Sequence, residues 1–260
     1  MIRQQLIRIS RRWQTWIALL IGLAMIVIQA MTISKANTNF INSAYVHLTG
    51  FDYTGMGSRS YFVILPLLSA LAAGSTNSED KKQRFLSMQL SRETPQKYLA
   101  DINLSAFIAG GLLGIIPLIL EGCYYFSKYS LRPLPKHYEL SPIASNGWGA
   151  GLFFSHPFLF WLLCLLIIFV FSGLFSLIAT ASAAFRIPYG MEIVIPFLIS
   201  IASSLARDLT GFEGLSIPSI ITPTFSNNYR STFPSLFIYP ALILLGVILV
   251  DRWRVHHDLL

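Results

Sequence analysis

Residues 76–101 read TNSEDKKQRFLSMQLSRETPQKYLAD, the one long charged run that lies between two strongly apolar stretches. Residues 61–75 before it and 102–120 after it are almost entirely apolar or small, so the run joins two membrane-embedded helices on one side of a bilayer. Its content exceeds what a connector needs. Thr76 with Glu79 three positions later forms a capping-box pattern, and Glu79 and Asp80 put negative charge at a helix start ahead of Lys81, Lys82 and Arg84. A short helix is predicted there. Phe85, Leu86, Met88 and Leu90 give it an apolar side suited to packing on another protein or lying at the membrane surface. Thr94 before Pro95 is a fresh cap with a first-turn proline, which starts the next helix.

The surrounding composition sets the class. Of 260 residues 54% are hydrophobic and only 12% charged, where a soluble domain carries about 25% charged. An all-α integral membrane protein forming one transmembrane domain over 1–260 is expected. Six apolar segments (16–33, 61–75, 98–126, 157–184, 190–206 and 234–250) approach or exceed the ~17–25 residues that cross hydrocarbon. The second is the shortest and carries Pro66. Twelve of the nineteen Lys and Arg residues fall at the N-terminus, in the 76–97 connection, in the short turn at Arg186, and after the last segment at Arg252 and Arg254. By the positive-inside rule those regions and both termini are cytoplasmic. The net charge of +7 is then a topological residue, and nucleic acid is not an expected partner.

Residues 1–15 place Ile2, Leu6, Ile9 and Trp13 at helical spacing opposite Arg3, Arg8, Arg11 and Arg12, the pattern of an interfacial amphipathic helix or of simple positive-inside anchoring. The first segment is too long, and Ile33-Ser34-Lys35 too poor a cleavage site, for a removed signal peptide. Glu121, about 20 residues from the entry of its helix and beside Tyr124 and Tyr125, reads as an interfacial carboxylate rather than a proton relay. The first long loop, 35–60, shows no catalytic constellation. Ser172, Ser176, Thr180 and Ala184 recur every four residues, a small-residue stripe for helix packing within the subunit or between two copies. Residues 207–233 are apolar but broken by Gly211, Gly214, Pro218 and Pro223, which predicts an outer segment dipping into or lying on the leaflet. Cys123 and Cys164 are expected as free thiols.

Enzymatic signatures are absent from the sequence. There is no G-x-x-x-x-G-K-[ST] loop and no H-E-x-x-H, and His256–His257 lacks a spaced third ligand, so neither ATP hydrolysis nor a metal site is expected of this chain. Its energy source lies elsewhere.

Six spans, a basic amphipathic start, the segment from Pro66 through the charged run with Glu79, Leu90-Ser91-Arg92 and Tyr98, and the broken loop before the last helix together resemble the permeases of ABC type-2 transporters. The resemblance implies that 76–97 is a cytoplasmic coupling helix between helices 2 and 3. Glu79, Lys82, Arg84, Phe85, Leu86, Leu90 and Arg92 would then contact a separate ATP-binding subunit. Gln83 stands where the family's Glu-x-x-x-Gly pattern has glycine. It further implies pairing with a second permease copy or sister permease, ATP and Mg on the partner subunit, and export of an amphipathic peptide, drug or lipid-like cargo from the cell membrane. A non-transporting immunity or sensory membrane protein is the alternative.

Overall fold

The computed structural model describes residues 2–33, 43–52, 55–74, 76, 94–133, 143, 147–185, 190–222 and 229–257. Their regular secondary structure is all helical, joined by turns and bends, with no β-strand among them. α1 (Ile2–Ser10) and α2 (Trp13–Thr32) meet at a corner where Arg12 is extended and the Thr15 hydroxyl donates to the Ile9 carbonyl at 2.7 Å. Then come α3 (Met56–Ala73), α4 (Pro95–Lys128), α5 (Ala150–Ser155), α6 (Pro157–Ser182), α7 (Ile195–Thr210), α8 (Ile217–Ile221) and α9 (Tyr229–His257).

Five of these helices are long and apolar enough to cross a membrane: α2, α4, α6, α7 with its preceding turn, and α9. The chain is therefore read as a multi-pass membrane protein. The expected second span is a helix too, but α3 has 18 residues, only about 27 Å at 1.5 Å per residue, and its apolar part is shorter than the rest.

Two helices form the centre. Half of the apolar window of α4 and 61% of that of α6 are buried, against 17% for α2 and 11% for α7 and for α9. Close backbone approach explains the pairing. A Cβ at Gly114 of α4 would lie 2.1 Å from the Ser172 hydroxyl of α6, and one at Gly110 would lie 2.5 Å from Ser176 Cβ. Only glycine fits at both. α2 joins the pair through Gly22, whose added Cβ would meet Pro117 of α4 at 2.9 Å.

α7 inverts the amphipathic rule of soluble helices. Leu198, Leu205 and Leu209 point outward, whereas Ser200 is buried, Ser203 accepts from the Ile217 backbone N–H at 3.1 Å and Arg207 donates to Ser219 at 2.9 Å. Apolar side chains facing outward from a polar seam suit a lipid surround. α8 folds back under this seam with Ile217, Ile220 and Ile221 buried, so this stretch of the broken segment packs into the helical bundle.

The bundle has two polar ends. α1, Thr76, the start of α4 and the end of α9 gather Arg3, Arg8, Arg11, Arg12, Lys97, Arg252 and Arg254 at what we call the basic end. The far end is covered by 43–52 and α5, beneath which Phe51, Phe153 and Phe160 pack with ring centroids 5.6–6.0 Å apart.

Candidate functional site

The residues expected to dock a partner, Glu79, Lys82, Arg84, Phe85, Leu86, Leu90 and Arg92, lie outside the described residues. Their flanks are described. Thr76 is buried and its hydroxyl accepts from the Arg12 guanidinium at 3.1 Å, tying the start of the run to the α1–α2 corner. At the other flank α4 starts at Pro95 with extended Thr94 before it, although the Thr94 side chain makes no capping bond. Ser172, Ser176, Thr180 and Ala184 are all buried. Ser172 and Ser176 face Gly114 and Gly110 of the same chain, and Thr180 bonds Asn103 at 3.4 Å. Cys123 is exposed and Cys164 buried, both free.

Near the basic end, Asn103 of α4 links two helices, accepting from Thr180 of α6 and donating to Asp251 of α9. Beside this link a half-open cavity of about 370 Å³ lies between the first turns of α4 and the last turns of α9. Asp251 lines it.

A denser polar cluster closes the far end. Glu121 is only 4% exposed, because the loop 43–52 folds over it: Thr49 donates its backbone N–H to Glu121 Oε2 at 3.0 Å and its hydroxyl to Oε1 at 2.7 Å. The carboxylate is thus a buried loop anchor rather than the interfacial group expected. Gln29 of α2, fully buried, donates to Asp52 at 2.9 Å and accepts from the Ser58 N–H at 2.7 Å, while Asp52 also takes the Gly55 N–H at 2.7 Å. Ser58 accepts from Gly50 N–H at 3.0 Å, and the Tyr61 hydroxyl donates to the Gly114 carbonyl at 2.7 Å. Glycine is required at 55 and 57, since a Cβ at either would lie 2.2–2.4 Å from the nearest Gln29 side-chain atom.

His47 stacks between Tyr129, at 4.1 Å between ring centroids, and Tyr125, at 5.3 Å. Its Nε2 has no hydrogen-bond partner among the described residues. Burial pulls its pKa below the ordinary imidazole value; Asp52 opposes that shift and Lys128 adds to it.

Sequence reasoning singled out Glu121 but missed Gln29, Thr49, Asp52, Asn103 and Asp251. The signal that could have found two of them is a polar amide inside an apolar run, at Gln29 and Asn103, since such a group in a span needs a partner. Thr49 and Asp52 carried no local signal. Among the described residues no group of three His, Cys, Asp or Glu could hold a metal ion. What the arrangement can do is mechanical: it fixes a loop across the far end through contacts to α2, α3 and α4. No protein-family model, curated protein or solved structure matches the chain.

Proposed function

We propose that the chain is the transmembrane permease subunit of an ATP-driven ABC exporter, moving an amphipathic peptide, drug or lipid-like substrate outward. In this reading the protein lies in the cell membrane with six spans, α3 being the second, and the basic end and both termini are cytoplasmic. A separate ATP-binding subunit docks on 76–97, and α1 serves as the interfacial helix. Outward-facing apolar sides on α2, α7 and α9 meet lipid and a second permease copy or sister permease.

The observation that carries the reading is α4. One helix of 34 residues leaves the charged run at Pro95, passes through the centre of the bundle and delivers Glu121 to the loop that covers the far end. At 1.5 Å per residue it is about 51 Å long, against a hydrocarbon core of about 30 Å. A push on the charged run therefore reaches the far-end anchor along one continuous helix. Arg12 on Thr76 braces the other flank of the run.

The test is to tag the protein, extract it gently from its native membrane and identify what co-purifies, with Phe85→Asp and Leu86→Asp as comparisons. The expected result is a stoichiometric subunit with a phosphate-binding loop, lost in both variants while the permease remains inserted. Purification alone, or with a partner lacking such a loop, would overturn the exporter reading in favour of a non-transporting interaction protein.

A further inference from the structure

The loop 43–52 that covers the far end is tied down on both sides of a histidine. On one side the Ala44 N–H donates to the Ser130 carbonyl at 2.9 Å, just past the end of α4. On the other, Thr49 donates twice to Glu121. His47 lies between these ties, buried against the end of α4 with its ring stacked on those of Tyr125 and Tyr129.

This seat suits a neutral imidazole better than an imidazolium. A protonated ring carries an N–H on each nitrogen, and Nε2 is shielded from water with no acceptor among the described residues. The loop's own carboxylate, Asp52, already has Oδ2 taken by Gln29 and by the Gly55 N–H. Glu121 has both oxygens taken by Thr49. The tyrosine rings that could hold a cation already serve Lys128, whose Nζ lies 5.5 Å from the Tyr129 centroid and 5.6 Å from that of Tyr124. A second cation there is repelled by the first. From α2, α3, α5 and α6 the loop meets Gln29, Ser58, Phe153 and Phe160, none of which titrates. Burial accordingly lowers the pKa of the imidazole, Lys128 adds to the shift, and Asp52 opposes it.

We propose that protonation of His47 releases the loop 43–52 from the far end, so that acidity on that side of the membrane uncovers Glu121 and Phe160. The proton does not have to enter the closed seat. A loop that lifts transiently exposes the imidazole, takes up the proton there and reseats less readily until the proton is lost. Above the ordinary imidazole value of 6.5 the loop is seated, and release grows as pH falls below it. The inference stands on the membrane reading of the chain and not on the exporter reading.

The test is amide hydrogen exchange read by mass spectrometry on the full chain in detergent, at about pH 7.5 and about pH 5.5, with labelling times scaled for the intrinsic exchange rate. A single proton can change the opening equilibrium by at most about tenfold per pH unit. Protection of the 44–52 amides is expected to fall several-fold within that limit on acidification, while the centre of α6 keeps its protection. In His47→Phe, which keeps an aromatic ring in the stack, the fall should vanish. In Glu121→Gln it should persist, on a loop less protected at both pH values. Protection of 44–52 that does not change with pH in the unaltered chain would overturn the switch, as would an equal fall in His47→Phe or a fall abolished by Glu121→Gln. A fall shared equally by the centre of α6 would replace local release with loosening of the whole bundle, and so overturn it too.

Discussion

The two ends of the bundle treat the carboxylates Glu121 and Asp251 in opposite ways. At the far end both oxygens of Glu121 and both ends of the Gln29 amide are bonded, and the partners come from a loop, 43–52, and from the start of α3. At the basic end one oxygen of Asp251, which lines a cavity, has no hydrogen-bond donor among the described residues. A saturated cluster holds its elements in one arrangement, whereas an unsaturated one holds them less firmly. The far end is thus built as a closure, and the basic end is the less firmly held of the two.

Removing the anchor at each end measures this contrast. Glu121→Ala leaves the Thr49 N–H and hydroxyl buried without an acceptor, and a loss of about 3 kcal/mol is expected, read as a lowered melting temperature in detergent. Glu121→Gln, which keeps one acceptor oxygen, should lose less. The corresponding cut at the basic end, Asn103→Ala, should cost only about 1 kcal/mol, because Asp251 borders a cavity that water can enter. Equal losses at Glu121 and Asn103 would erase the distinction between the ends.

The smallest effect is expected at His47, the far-end group whose Nε2 has no partner among the described residues. Its pKa is lowered by burial, so the folded state disfavours the imidazolium. Sign follows from linkage: stability is intact above the ordinary imidazole value of 6.5 and declines as pH falls below it toward the depressed folded value. Melting curves taken from about pH 7.5 down to about pH 5.5 should show a decline that is absent in His47→Phe. A pH response identical in the variant would remove His47 from the account of how the loop is held.

The two central helices were legible from end to end. The apolar segment read as 98–126 is the centre of α4, whose start at Pro95 was marked by the Thr94-Pro95 pair, and 157–184 matches α6 to within two residues. Hydropathy and proline position suffice for this, because each residue's transfer cost and backbone restriction act locally. The four-residue repeat of Ser172, Ser176 and Thr180 likewise showed which face of α6 is a close-packing face, since helical spacing alone aligns those positions.

Who meets whom was decided in three dimensions. The repeat did not say that its partners are Gly110 and Gly114 of α4 rather than another copy. Glu121 and Thr49 are 72 positions apart, and nothing local in 35–60 announced that this loop would reach into the bundle. The serines of α7 turned inward because Ser216 and the Ile217 N–H meet Ser204 and Ser203 there, as Ser219 meets Arg207, leaving its leucines outside. A sequence carries the cost of burying each polar group, and so determined that these groups need partners. Only the folded packing of distant segments supplied the donor or acceptor, because a hydrogen bond depends on ångström-scale placement that no single segment encodes.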